Sequence, residues 1–281
     1  MKKSNYDLSQ YDQFIQTFEK VIKTPKQTNT TTYYTGVDLG TACVVLAVLD
    51  DSGEPVAGAY EYADVVRDGM VVDYIGAIEI VTRLKKSIEA NLGCELLYAA
   101  SAIPPGTDLL DSGAIKNVIE ASGFELVSLL DEPTAANQLL SIQNGAVVDI
   151  GGGTTGISVV VEGEVVKVAD EATGGTHFSL VVSGSYGMTF DEAELYKRSE
   201  KNHKELLTVL KPVIEKIASI IDRQIMGHQV EEVYLVGGTA CLTGMETIIE
   251  KSLGIPTFKP INPMFVTPLG IAKNCYNKQL N

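Results

Sequence analysis

VVDIGGGTTGISVVVEGEVV, Val147–Val166, sets three glycines between two apolar runs, with Asp149 just ahead of them. Glycine is a weak strand former, and a plain hairpin turn needs only one or two. Three in a row, followed by Thr154 and Thr155, strip the chain so that something can come very close to the backbone. The pattern has a twin upstream. GVDLGTACVVLAVLDDSGEPV, Gly36–Val56, repeats the apolar strand, the aspartate (Asp38), an apolar residue, a glycine (Gly40), a small-residue turn, a second apolar strand and a glycine-containing turn.

The surroundings of the two stretches also run in parallel. From Tyr33, three apolar strands precede alternating helices and strands, and the cycle restarts near Gly145. Amphipathic helices are expected over 74–93, 112–123, 132–143, 174–187, 190–200, 203–227, 243–254 and 267–278. Gly93 and Gly254 close two of them, and Pro212 is expected to break or kink the longest. The fold class is therefore α/β. A duplicated α/β unit predicts two lobes, with two equivalent hairpins face to face across a cleft.

At Asp38 and Asp149 a buried strand delivers a carboxylate to the tip of a hairpin. Gly40, Gly151, Gly152 and Gly153 then let backbone N–H groups approach an anion, and Thr41, Thr154 and Thr155 add hydroxyl donors. A carboxylate beside a phosphate repels it unless a cation sits between, and Mg²⁺ held mostly through water satisfies both. Two such hairpins make a clamp for a polyphosphate. The motif is not a P-loop, because GxxxxGK[ST] is absent. Nor is it a dinucleotide fingerprint, because the glycines join strand to strand.

Composition narrows the partners. A net charge of −14 argues against sequence-independent nucleic-acid binding, which needs a basic face. No apolar run is long enough to span a bilayer, and MKKSNYDLSQ lacks the apolar core of a signal peptide. Cys43, Cys94, Cys241 and Cys275 form no CxxC pair and read as reduced thiols in a cytoplasmic protein. His177, His203 and His228 lack ligand-like spacing and read as surface or turn residues. Residues 1–32 stand apart. Tyr11, Phe14, Ile15, Phe18, Val21 and Ile22 form one apolar stripe on a short helix, followed by the polar linker TPKQTNTTT. Such a helix either folds back on the main domain or docks on a partner through residues 5–22.

Five ordered motifs resemble the actin-like ATPase superfamily, which includes actin, sugar kinases and the seventy-kilodalton heat-shock chaperones. GVDLGTA looks like the first phosphate loop, DEPTAAN (131–137) the first connecting helix, and VVDIGGGTTG the second phosphate loop. YLVGGTACLTGMETIIEKSLG (234–254) is similar to the adenosine motif, and NPMFVTPLGIAKN (262–274) to the second connecting helix. The resemblance covers about 33–277 and implies a two-lobed fold of duplicated ribonuclease-H-like units. It divides the chain into 33–145 with 262–281 as one lobe and 146–261 as the other. The phrases YEYADVVRDGMVVDYIGA, DEPTA and DEATGGTH are similar to those of the ethanolamine-utilisation J family, which is encoded with bacterial microcompartment genes.

The resemblance implies ATP or ADP with Mg²⁺ as cofactors, with Asp38 and Asp149 holding the metal's water shell. It places Glu132 near the metal and attacking water, with Pro133 beside it in the first helical turn. Gly237 and Gly238 would lie under the adenosine, and Glu194, Lys197 and Arg198 would pack on adenine and ribose. Departures weaken the catalytic side. An aspartate of the chaperone pattern is Gly156 here, an arginine is Cys241 and an acid is Met264. The chaperones' water-polarising lysine has no clear counterpart among Arg67, Lys85 and Lys86. Slow turnover, or none, is expected. The implied role is a chaperone-like nucleotide switch serving ethanolamine ammonia-lyase or microcompartment assembly, in the cytoplasm or inside a microcompartment. A non-hydrolysing scaffold and a filament-forming actin homologue are the alternatives.

Overall fold

The computed structural model describes residues 8–30, 32–67 and 69–280. It divides into two compact units. Lobe I is Leu8–Ser141 with the chain from Phe265 onward, and lobe II is Ile142–Met264.

Lobe I holds β1 (Tyr34–Leu39), β2 (Cys43–Leu49) and β3 (Pro55–Tyr62) as an antiparallel meander. After the small hairpin β4 (Val66–Arg67) and β5 (Met70–Val71) comes α2 (Tyr74–Leu92). Then β6 (Tyr98–Ile103), α3 (Leu109–Ala121), β7 (Glu125–Asp131) and α4 (Glu132–Leu140) follow, giving the sheet order β3-β2-β1-β6-β7. Strand alternation splits β1 between two faces. Val37 and Leu39 join the core under α2 and α3, whereas Tyr34 joins the core with Ala135 of α4 and Ile271 of α9 (Val266–Leu280). Asp38 therefore lies on the α4/α9 side. Two glycines let those helices in. A Cβ on Gly36 would overlap the Pro268 carbonyl oxygen, and one on Gly270 the Ala135 carbonyl oxygen.

Lobe II repeats the plan. Its strands β8 (Gly145–Ile150), β9 (Thr155–Val161), β10 (Glu164–Glu171), β11 (Val233–Val236) and β12 (Thr257–Phe258) stand in the order β10-β9-β8-β11-β12. The first three pair antiparallel, and β8, β11 and β12 pair parallel. The helices are α5 (Gly175–Tyr186), α6 (Phe190–Arg198), α7 (His203–Ile225) and α8 (Met245–Leu253). Ala146, Val148 and Ile150 of β8 pack with Phe178, Val182, Leu210 and Ile249, so Asp149 alternates to the opposite face.

Two readings that the sequence leaves open are narrowed. Pro212 does not break its helix, since α7 runs unbroken through it. Pro212 and Thr208, whose carbonyl loses its helical partner, both lie on the solvent side, where water can satisfy that carbonyl. The apolar stripe of α1 (Ser9–Lys23) is covered within its own lobe: Tyr11, Ile15, Phe18 and Val21 are buried. The Phe18 ring occupies the space a side chain on Gly58 of β3 would need and stacks edge-on against Phe265 at 5.2 Å. A partner contact through that stripe would have to displace β3, and residues 5–7 lie outside the described residues.

Candidate functional site

The glycine loop after β8 is held from behind. The Gly151 N–H donates to the Thr154 carbonyl at 3.0 Å and closes the turn. The Gly151 carbonyl accepts from the Gly175 N–H at 2.9 Å and from the Thr239 hydroxyl at 2.7 Å. The Gly152 carbonyl accepts from the Thr176 N–H at 2.8 Å. In a trans peptide the carbonyl and the following N–H point in opposite directions, and no cis bond occurs among the described residues. The first turn of α5 thus pulls two carbonyls one way and turns the Gly152 and Gly153 amides the other. Successive amides on one side make an anion-binding concavity. A Cβ on Gly174 would lie 2.8 Å from both the Gly151 and Gly152 oxygens, which is why a glycine precedes α5. At the end of β11, Gly237 has φ +88°, and a side chain there would collide with the buried Asp149 carboxylate. Gly238 follows it with open space around its Cα.

The threonines play other parts than the sequence suggests. The Thr155 hydroxyl donates to the Thr173 carbonyl at 2.5 Å, and the Thr154 hydroxyl bonds the Asp170 carboxylate. A hydroxyl has one proton to give, so both donors are spent on the protein and the backbone amides remain to meet an anion. Asp170 was not singled out in the sequence. Burial pushes its carboxyl up to about 6 against the lowering effect of Thr154, and the charges of Glu171 and Asp149 add to the rise.

Glu194, Lys197 and Arg198 do form one cluster on α6. The Lys197 ammonium gives its three donors to the Gly175 carbonyl (2.9 Å), the Ser179 hydroxyl (2.7 Å) and Glu194 Oε1 (2.6 Å). Arg198 reaches Glu194 Oε2 at 3.0 Å, and Ser179 also bonds Glu194. Burial would raise the Glu194 carboxyl, but Lys197 and the hydrogen bonds hold it below its usual range. Lys197 therefore ties α6 to the first turn of α5, and Arg198 is the more exposed cation at this corner. His203 is buried and not a surface residue. Its Nδ1 accepts from the Thr243 N–H and its Nε2–H donates to the Lys197 carbonyl, each at 3.1 Å.

In lobe I the corresponding turn closes in the same way, Gly40 N–H to the Cys43 carbonyl at 3.1 Å, with Thr41 half-buried inside it. Asp38 lies half-buried one residue before the end of β1, and β1 is buttressed by the Ser101 hydroxyl on the Val37 carbonyl at 2.6 Å. Glu132 and Pro133 open α4 behind the Asp131 cap, whose Oδ1 accepts from the Thr134 N–H at 2.9 Å. Two of the three candidate cations are engaged elsewhere. Lys85 is buried on the Gly123 carbonyl at 2.6 Å and lies over the Phe124 ring, Arg67 pairs with Asp64 at the surface, and Lys86 is exposed on α2.

These residues fit a phosphate-bearing ligand in lobe II: bare amides, a glycine-lined loop and an acid at its edge. Among the described residues no cluster of three or more His, Cys, Asp or Glu could ligate a metal directly. A Mg²⁺ here would keep most of its waters, as that ion generally does. Gly175, Thr176 and Thr239, which tie the loop down, and Gly174, which leaves room for it, are not singled out by the sequence. The glycine pair in DEATGGTH, set between a strand and a helix, was the available signal.

Comparison with known proteins places the chain. The family model described as type IV pilus assembly protein PilM matches residues 125–279, and that of MreB/Mbl matches residues 58–184. The ethanolamine utilization protein EutJ of Salmonella typhimurium strain LT2 is 45% identical over 245 residues, covering 87% of this chain and 86% of that protein. The crystal structure of EutJ from Carboxydothermus hydrogenoformans superimposes with a TM-score of 0.89 at 49% identity, covering 94% of this chain and 98% of that one. MreB5 of Spiroplasma citri bound to ADP shares the fold, with a TM-score of 0.69 at 18% identity and coverage of 89% and 97%. No helix among the described residues is long and apolar enough to cross a membrane.

Proposed function

The chain belongs to the EutJ family of ethanolamine utilization proteins, with an actin-like ATPase fold, and we propose that it works there as a nucleotide-dependent, chaperone-like switch. In this reading it binds ATP and ADP with Mg²⁺, and nucleotide occupancy closes the lobes and changes which surface a client meets. The client is ethanolamine ammonia-lyase or a microcompartment protein. The observation that carries the reading is the lobe II loop, whose Gly151 and Gly152 carbonyls are bound to α5 and Thr239 so that the next amides turn outward.

Asp149 and Asp38 would accept hydrogen bonds from the metal's waters, and the Gly152 and Gly153 amides would hold phosphate oxygens. The metal supplies charge neutralisation when bound. Glu132, at the start of α4, is the group suited to orient a water. Phosphoryl transfer depends on positioning and charge more than on covalent chemistry, so each missing charged group costs on the order of 10²–10³ in rate. With Cys241 and Met264 in place of charges, and Lys85 locked on Gly123, binding with slow turnover is the expected behaviour. Calorimetric titration of ATP and ADP with Mg²⁺ tests this. Micromolar or tighter binding that Asp149→Ala removes sustains the reading. A native chain that binds neither nucleotide sinks it and leaves a scaffold that has kept the fold.

A further inference from the structure

Asp149 on β8 pairs with Gly156 on β9, and Gly156 pairs with Asp170 on β10. Directly paired residues on antiparallel strands point their side chains to the same face. Neighbouring strands lie about 4.8 Å apart, so the two acids flank a position that has no side chain, with Cα atoms roughly 10 Å apart. Their charges interact across that gap. The Thr154 hydroxyl, from the loop itself, holds the Asp170 carboxylate. The Oδ1 oxygen of Asp170 is buried and has no hydrogen-bond partner.

A purely structural carboxylate would serve Thr154 and the Glu171 N–H, the two protein donors that Asp170 meets. It leaves the buried Oδ1 unexplained, and a buried acceptor without a partner is costly. A second acid beside a phosphate cradle is also unfavourable unless a cation offsets it. Both features are accounted for together if a strong donor arrives with the ligand. We propose that Asp170 is the second acidic residue of the lobe II loop and accepts a hydrogen bond from the water shell of a divalent cation bound with the nucleotide phosphates. This rests on the nucleotide reading above and adds to it a residue from a third strand.

The test uses the full chain and Asp170→Asn, which keeps the shape and an acceptor for Thr154 but loses the charge. Mn²⁺ is titrated by electron paramagnetic resonance in the presence of ADP, and ADP is titrated by calorimetry in EDTA. Mn²⁺ affinity is expected to fall about tenfold or more, the usual consequence of removing a partner of a metal's ligand shell. Metal-free ADP is expected to bind as tightly as to the native chain or more tightly, because a negative charge beside the phosphates is gone. The double variant Asp170→Asn with Gly156→Asp returns a carboxylate one strand closer to Asp149 and should recover Mn²⁺ affinity. Unchanged Mn²⁺ affinity in a folded Asp170→Asn chain overturns the proposal, as does an equal loss with and without metal, which marks a structural residue. A native chain that binds no ADP overturns the nucleotide reading and this one together. Normal native binding with an unaltered variant overturns this one alone.

Discussion

The two hairpins are built alike and equipped differently. In lobe I the ladder across three strands reads Asp38, Val45, Tyr60, and in lobe II it reads Asp149, Gly156, Asp170. Turn closure is nearly the same, 3.1 Å at Gly40 and 3.0 Å at Gly151. Yet Val45 is a buried core residue and Tyr60 leans on Phe265, so lobe I has filled the position beside its aspartate with packing. Lobe II has emptied the same position and set a second acid beyond it. Its loop is also bound from behind by the first turn of α5 and by Thr239. Duplication kept the backbone plan, while the chemistry diverged in the residues the ladder carries.

Transferring lobe II's glycine to lobe I should do the most damage. Val45→Gly removes a buried valine and weakens a central strand, which together cost about 3 kcal/mol of lobe I stability. Urea denaturation checks it, and a loss below about 1 kcal/mol would mean that Val45 is not the packing element the comparison makes it. Next in size is the asymmetry between the aspartates. Asp149→Ala is expected to weaken Mg²⁺–ADP binding at least about a hundredfold, and Asp38→Ala about tenfold, because only the first adjoins the anchored loop. Equal losses by calorimetry would break the claim that lobe II is the more specialised half. Thr239→Val probes the anchor itself. Losing its hydrogen bond to Gly151 should cost about 1 kcal/mol of stability and loosen the loop, with ADP binding weakened about fivefold.

The alternation of apolar runs, the caps at Gly93 and Gly254 and the repeated aspartate–glycine turn made the α/β class and its duplication legible, because each is a local signal. Asp170 was not legible, and the reason is geometric. Counting from the Glu162–Gly163 turn with strict pairing would set Ala169 opposite Gly156. A register shift between Val165 and Lys167 moves the count by one and sets Asp170 there. No single-sequence pattern announces that bulge. The same limit applies to Lys197, which the motif places beside a ligand and the packing commits to Gly175, Ser179 and Glu194. Pro212 left a break or a kink open, and the break does not occur, because a break signal on the solvent side of a long amphipathic helix is overridden by its buried face.

The smallest effect expected is a difference in how the lobes respond to acid. All three histidines, His177, His203 and His228, belong to lobe II. His203 is held neutral: Nδ1 accepts from the Thr243 N–H, and Nε2–H donates to Lys197. A proton on Nδ1 would face an N–H donor. Burial lowers the His203 pKa from its ordinary value, against the raising effects of the Lys197 carbonyl and Glu200, while Lys259 lowers it further. A group whose folded pKa is depressed contributes stability that is present above the unfolded value and lost as pH falls through the folded one. Lobe II should therefore weaken on acidification below about pH 6.5. Asp170 opposes this, since a carboxyl raised to about 6 stabilises the fold below its ordinary pKa and loses that contribution as pH rises. The two slopes separate in an Asp170→Asn background, where only the histidine slope remains. Melting that chain and its His203→Gln derivative from pH 7.5 to 5 should show the gap between them narrowing as pH falls. A gap that is constant with pH would assign His203 to packing alone and remove pH from the differences between the two halves.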